Sequence, residues 1–398
     1  MSIEEPATIY VAHIADCHLR AYQYGSSRRG QAFLDGLLSA IRAASAESAD
    51  YILCSGDLLD SNNPGPLVVM DHLRQVDEEL KACHLPMLVS VGNHDNCEPS
   101  WLTPYEWSGD EEYAAPGLHF LRPDEKNGGK YTLRSEYLEI PLKLGVSSFK
   151  PSSFMREELA MHEENENYDV YMWHGEIREF CGYPKEDAIC IDDFPRNMAK
   201  VVAMGDQHIH KYIRRPSDDM IIAYPGSTEM CSEAEDEHKK LFLYKFTWDE
   251  VAEACELTAI ESIPFATQPV IRRTLTTESD LDETVQYIKD NPNVLAYIRY
   301  DRTLHEAVSR LRDAANPEST CLRLTPMMPD RFNVHTMSRE AVKYGPVEFF
   351  ETNKEDLIHD PEVRRRVEDL CKDLLTSNKE HKVSINKFCN DRLGTTCL

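Results

Sequence analysis

Five short clusters of Asp, His and Asn constrain this chain more than any other feature. They read Asp16-Cys17-His18, Gly56-Asp57, Gly92-Asn93-His94-Asp95, His174-Gly175-Glu176 and Gly205-Asp206-Gln207-His208. Each follows a short apolar run that reads as a strand, at residues 8–15, 51–54, 87–91, 169–173 and 200–204. Apolar residues at helical spacing fill 31–46 and 67–82, between the first three runs. This strand–helix rhythm predicts a layered α/β fold with parallel pairing. In such sheets ligands gather at the carboxyl ends of strands, where these clusters fall.

The rest of the chain is read more coarsely. Alternation over 118–144 predicts antiparallel strands, 154–165 a helix, and 240–247 a strand that closes the sheet. After Ile263-Pro264 the pattern becomes β-α-β-α-β, with strands at 270–275, 294–300 and 321–324 and helices at 281–289 and 304–315. From about residue 339 the chain reads as charged helix, and 360–375 carries an apolar stripe. The predicted organisation is therefore a catalytic domain over 1–262, a small α/β domain over 263–330 and a helical segment over 331–398.

Composition sets limits on function. The 398 residues carry a formal net charge of −26, so a protein that grips duplex nucleic acid unaided through a basic face is not what this chain advertises. The twelve cysteines are scattered without a CxxC pair, which reads as reduced thiols rather than a disulfide framework or zinc ribbon. No apolar run reaches membrane-spanning length, and the acidic N-terminus lacks the blocks of a signal peptide. The expectation is a cytoplasmic chain with no membrane contact.

Each cluster has its own chemistry. Asp16 and His18 lie two residues apart, so at a strand end both can face one metal while Cys17 turns to the core. Asp57 can bridge two metals, with Gly56 relieving the turn. Asn93 offers a neutral oxygen, and His94 can face a substrate phosphate while Asp95 orients its ring. His174 closes a fourth strand. In the last cluster Asp206 and His208 share one face, and so do His208 and His210; both pairings are open. Oxygen and imidazole donors delivered from successive strand ends can hold two divalent cations about 3.5–4 Å apart, the arrangement that serves in-line attack on a phosphate ester.

Taken in order, Asp-x-His, Gly-Asp, Gly-Asn-His-Asp, His and Gly-x-x-His resembles the calcineurin-like metallophosphoesterases. The segments from Gly56 to Pro64 and from Tyr224 to Glu229 narrow the resemblance to the SbcD-type nucleases, partners of an SMC-like coiled-coil ATPase. It is specific over roughly residues 8–250. The resemblance implies a four-layer α/β/β/α sandwich with a small α/β capping domain. It implies metal ligation by Asp16, His18 and Asp57 at one position, and by Asp57, Asn93 and His174 at the other. That family usually ends on Gly-His-x-His; here Asp206 stands where the first histidine belongs and His208 falls on the second, with His210 as the alternative ligand. Oxygen in place of nitrogen favours manganese, with magnesium next. His94 and Asp95 would be the catalytic residues.

The resemblance further implies a DNA nuclease, acting from duplex ends and within single strands. It would be the nuclease subunit of a DNA repair complex with an SbcC-like ATPase, homodimeric, in the cytoplasm of a bacterium or of a virus-infected bacterial cell. The segment 360–375 would dock on the partner's coiled coil. Two other readings stand beside this one: a small-molecule or cyclic-nucleotide phosphodiesterase of the same superfamily, and a scaffold subunit with weakened chemistry. The purple acid phosphatases use a tyrosine ligand, which the segment Gly56–Asp60 does not offer.

Overall fold

The computed structural model describes residues 7–61, 66–95, 102–107, 114–121, 129–134, 140–162, 167–182, 188–305, 308–316 and 319–327. The chain divides into a compact unit over Met1–Pro326 and another over Met327–Leu398. The predicted helical segment 331–398, with its docking stripe at 360–375, lies outside the described residues.

Two six-stranded sheets form the body. The first takes β1 (Thr8–Ile14), β2 (Tyr51–Cys54), β3 (Pro86–Val89) and β4 (Gly117–Phe120) in parallel, in that order. The second contains β5 (Lys130–Arg134), β6 (Pro141–Val146), β7 (Tyr168–His174), β8 (Ala199–Gly205), β9 (Lys211–Arg214) and β10 (Ile221–Tyr224) in the order β5-β6-β7-β8-β10-β9. The long hairpin β11 (Lys240–Asp249) and β12 (Ala254–Pro264) returns to the first sheet, with β11 antiparallel to β1. The predicted closing strand is β11. One expectation is corrected here: antiparallel pairing over 118–144 holds for β5 with β6, whereas β4 runs parallel to β3. Alternation reports a half-buried strand face and carries no information about the direction of its neighbour.

Strand alternation builds the layers. On β1, Ile9 and Val11 face the second sheet, packing with Leu144, Val170, Val201 and Ala203. Ala12 and Ile14 face the other way, against α1 (Ser27–Ala46) and α2 (Pro66–Ala82) through Leu34, Leu37, Leu73 and Leu80. The outer face of the second sheet is covered by α3 (Ser152–Ala160) and short helical turns at Arg178–Phe180 and Ile191–Asp193, over Trp173, Met204 and Tyr224. The order is α/β/β/α, as the sequence implied. The predicted helix 154–165 is shorter than expected at its described end, because α3 stops at Ala160.

A third sheet follows, with β13 (Val270–Leu275), β14 (Leu295–Tyr300) and β15 (Cys321–Pro326) all parallel. The helices α4 (Glu278–Asp290) and α5 (Ser309–Ala314) cover one face through Leu281, Ile288 and Leu311, against Ala296 and Ile298. On the other face Leu295 and Tyr297 pack on Met230. That contact is fixed by Arg29, a fully buried residue of α1. Its guanidinium reaches Glu229 (3.2 Å), Gln268 (2.7 Å) and the Met230 carbonyl, and its Nε reaches Gln23 (2.9 Å). Among the described residues the cysteines are free thiols, and no helix is long and apolar enough to cross a membrane.

Candidate metal centre

The parallel strands of both sheets end at one edge of the sandwich, and the loops beyond them are tied together. Asp16 N donates to Gly56 O (3.1 Å) and His18 N to Asp57 O (2.9 Å). Asp206 N donates to the Asp16 carboxylate (3.0 Å), linking the end of β8 to the end of β1. Asp16, His18, Asp57 and Asp206 have φ of 53°, 47°, 53° and 97°. Positive φ is uncommon for residues with a Cβ, though least so for Asp, Asn and His. Such conformations persist where their surroundings over-determine them. The expectation that strand alternation aims Asp16 and His18 is corrected: two left-handed residues do so, and Cys17 between them still turns inward, 3.9 Å from the Cys54 sulfur.

Asp57 is the hub. Its Oδ2 lies 3.4 Å from His174 Nε2, 3.8 Å from His94 Nε2 and 3.9 Å from His18 Nε2. On one side, His174 Nε2 also meets Asn93 Oδ1 (2.9 Å) and Asp206 Oδ1 (3.8 Å). On the other, His18 Nε2 meets His208 Nε2 (3.1 Å), which is 4.0 Å from Asp16 Oδ1. The predicted donors thus converge as two sets sharing Asp57: Asn93, His174 and Asp206 on one side, Asp16, His18 and His208 on the other. His210 is turned away. Its ring nitrogens bond Pro225 O (3.0 Å) and Ser262 Oγ (2.8 Å), and its ring stacks on Phe242.

Glycines make the room. A Cβ at Gly205 would overlap Ser55 O and crowd the His174 ring, and one at Gly92 would overlap the Asp57 carboxylate. His174 Nδ1 therefore approaches Ser55 O (2.8 Å); since that oxygen only accepts, Nδ1 carries a proton and Nε2 is the atom turned toward Asp57 and Asn93. His208 Nδ1 is held by Glu235 Oε1 (3.0 Å) in the same way. Partners so placed would fix the tautomer of a metal-binding imidazole and raise its basicity.

Fit to cations follows from the donor chemistry. Asp16 and Asp57 are buried together, facing histidines and backbone amides. Burial pushes the Asp16 carboxyl up to about 6, against the opposing fields of His174 and His208. Burial likewise lowers His18 to about 3, leaving it a neutral donor. For His174 burial is outweighed by its hydrogen bond to Asp57 and the fields of Asp57, Asp16 and Asp206, which lift it to about 10. Two Nε2 atoms 3.1 Å apart beside clustered carboxylates form a pocket that divalent cations would relieve.

The model of the family described as calcineurin-like phosphoesterase matches residues 9–210. The chain belongs to the calcineurin-like phosphoesterases. Among curated proteins it is similar to the DNA double-strand break repair protein Mre11 of Thermoplasma acidophilum, 30% identical over 234 residues, covering 56% of this chain and 57% of that protein. It is 27% identical over 227 residues to the uncharacterized metallophosphoesterase YhaO of Bacillus subtilis, covering 54% of this chain and 52% of that one. A longer match, 24% over 305 residues, joins 72% of this chain to 76% of the Mre11 of Methanocaldococcus jannaschii. The chain spans little more than half the length of the first two.

Within this phosphoesterase, two roles differ from expectation. Asp95 does not touch the His94 ring. Its buried carboxylate accepts from the amides of Gly92 (3.0 Å), Leu59 (2.9 Å) and Leu58 (3.3 Å), bracing the turns that carry Asn93 and Asp57. The His94 ring is instead held by Asp60 O, which takes the Nδ1 proton. Asp60 pairs through its carboxylate with Arg20. Sequence reasoning also missed Glu235 and Cys231. Glu235 accepts from His208, Ser227 Oγ (2.8 Å) and the buried Lys239 Nζ (2.8 Å), and Cys231 lies beside His18 and His208. The segment Tyr224–Glu229 pointed to their neighbourhood, but nothing in the acidic run from Glu233 to Glu237 marks which carboxylate turns inward.

Proposed function

We propose that this phosphoesterase is a two-metal-dependent DNA nuclease, cutting duplex ends and single strands with manganese. The observation that carries the reading is the convergence of six donors from both sheets on Asp57, in two sets that share it. The names of the Mre11 relatives support a DNA substrate. Bound divalent cations would acidify a water and hold the scissile phosphate. The protein's part is positional. Asp57 faces both sets, Asp95 braces its turn, and His94 stands at the mouth, with a side chain 39% exposed. Asp60 O takes the Nδ1 proton of His94, so Nε2 faces the cleft, and with both ring nitrogens protonated it can pass its proton to the leaving 3′ oxygen and return to the neutral imidazole.

The unit from β13 to β15 acts as a capping domain that steers the strand. A cavity of about 460 Å³ there is lined by Arg272, Arg273, Arg299 and Tyr297 and by Glu233, which pairs with Arg299 (2.9 Å), while Arg272 pairs with Glu237 (2.5 Å); a phosphate backbone would take these arginines from their carboxylates and stack on the tyrosine. It stands out in a chain of net charge −26. An SMC-like ATPase partner, bound through the segment beyond 331, supplies the remaining attraction in the cytoplasm. Isolated, the chain should cut DNA weakly and lose activity steeply with salt. The test is to incubate the full chain and manganese with linear duplex DNA, single-stranded DNA and a phenyl phosphodiester. Cleavage of both DNAs is expected. Cleavage of the phenyl ester alone would move the assignment to a small-molecule phosphodiesterase.

A further inference from the structure

The two donor sets around Asp57 differ in chemical hardness. Beyond the shared Asp57, the Asn93 side offers two oxygens, from Asn93 and Asp206, and one imidazole nitrogen, from His174. The other side offers two imidazole nitrogens, from His18 and His208, one carboxylate oxygen, from Asp16, and a sulfur. The Cys231 Sγ and one ring nitrogen of each histidine all lie within 4.8 Å of one another, and the rings' Nε2 atoms are 3.1 Å apart. In a tetrahedral zinc site, Zn–S of ~2.3 Å and Zn–N of ~2.0–2.1 Å place donor atoms about 3.3–3.6 Å from each other. Carboxylate oxygens stand ready for a fourth place, with Asp57 Oδ2 3.9 Å from His18 Nε2 and Asp16 Oδ1 4.0 Å from His208 Nε2.

Cys231 is also held in place by more than its own side chain. Its amide donates to Glu235 Oε2 (3.2 Å), and its carbonyl accepts from Gln23 Nε2 (2.8 Å). The Glu235 carboxylate thus fixes both the His208 ring, through Oε1, and the Cys231 backbone, through Oε2. One buried carboxylate, paired with Lys239, holds the His208 ring and the Cys231 backbone together. Competing roles for the thiol are a weak donor bond to Glu229 O at 3.7 Å and a hydrogen bond with the His208 ring.

We propose that Cys231 is a ligand of the first metal position, which makes the centre asymmetric: a sulfur–nitrogen position selective for zinc beside an oxygen-rich position for manganese or magnesium. Thiolate selects zinc over the harder cations, whereas carboxylate and amide oxygens select manganese and magnesium. On zinc binding the thiol proton passes to solvent and a Zn–S bond forms, with no change of oxidation state. The inference rests on the two-metal reading and replaces a uniform manganese pair with two unlike ions.

The test uses the full chain, stripped by chelator and reloaded with cobalt(II), a spectroscopic stand-in for zinc. The wild type should show a near-ultraviolet sulfur-to-cobalt charge-transfer band, which one equivalent of zinc removes. Cys231→Ser should lose that band and hold zinc at least ~10-fold less tightly, while keeping its visible cobalt bands and its melting curve. Two bound cobalt ions with no charge-transfer band, or a band that survives Cys231→Ser, would overturn the proposal and leave the two-metal reading standing. Failure to bind cobalt at all would overturn both.

Discussion

The metal edge of the sandwich and the β13–β15 unit are built on opposite terms. At the metal edge, Asp16, His18, Asp57 and Asp206 sit at positive φ, and carboxylates are buried against one another. From Ala254 to Pro326, no described residue other than glycine has positive φ. There α4 begins with Thr277 and Asp280 exchanging side-chain and backbone hydrogen bonds. Its ion pairs, such as Arg310 with Glu278 at 3.4 Å, lie at the surface. Local preference and global fold agree in the second region and conflict in the first, as expected where chemistry rather than stability has shaped the residues.

The sharpest way to break this contrast is His208→Ala. Changes to a ligand's outer partners cost ~10–100-fold in metal affinity or activity, so loss of the ligand itself should exceed that while the melting transition persists. Full activity in this variant would remove His208 from the centre. Next is Arg29→Met, which strands the fully buried Glu229. Breaking a buried pair from one side costs about 3–5 kcal/mol, readable by urea denaturation. Arg310→Ala, at an exposed pair, should change stability by less than ~1 kcal/mol. Equal effects would mean the Arg29 hub contributes no more than a surface contact.

Glu235→Gln comes third, weakening metal binding ~10–100-fold by titration, with the larger loss at the His208 position. An unchanged affinity would show that Glu235 merely neutralises Lys239. A pH test follows from His13, buried between the sheets with its ring on Tyr244 OH (2.8 Å) and Ser55 Oγ (3.0 Å). Burial, aided by His210, lowers it from 6.5 to about 3. The unfolded chain then binds the proton first, so stability is lost as pH falls below the unfolded value. The loss should be about 1 kcal/mol over the first pH unit below 6.5. Urea melts of wild type and His13→Gln across that range should diverge, and parallel curves would contradict the assignment. Smallest is Thr277→Ala, about 1 kcal/mol from the lost cap, with metal binding unchanged.

Much of this was legible in sequence because strands, their order and the donors at their ends follow from alternation and helical spacing. The β-α-β-α-β unit was readable for the same reason. What stayed hidden depended on contacts distant along the chain. The direction of β4 is set by its neighbour β3. The turn of Asp95 toward three amides, away from His94, is set by loops that its own sequence does not describe. Cys231 and Glu235 meet His18 and His208 only after the chain has crossed both sheets. The preference for Asp206 with His208 over His208 with His210 rests on Gly205 keeping its place at the strand end, where a Cβ would overlap Ser55 O and crowd the His174 ring.

The central claim is one centre with two cations sharing Asp57. Elemental analysis of the full chain, reloaded with manganese and zinc and freed of unbound metal, tests it most directly, with Asp57→Asn beside the wild type. Two metal ions per wild-type chain, falling to one or none in the variant at an unchanged circular dichroism spectrum, is the predicted result. A single ion in the wild type, or two ions retained by Asp57→Asn, would contradict it.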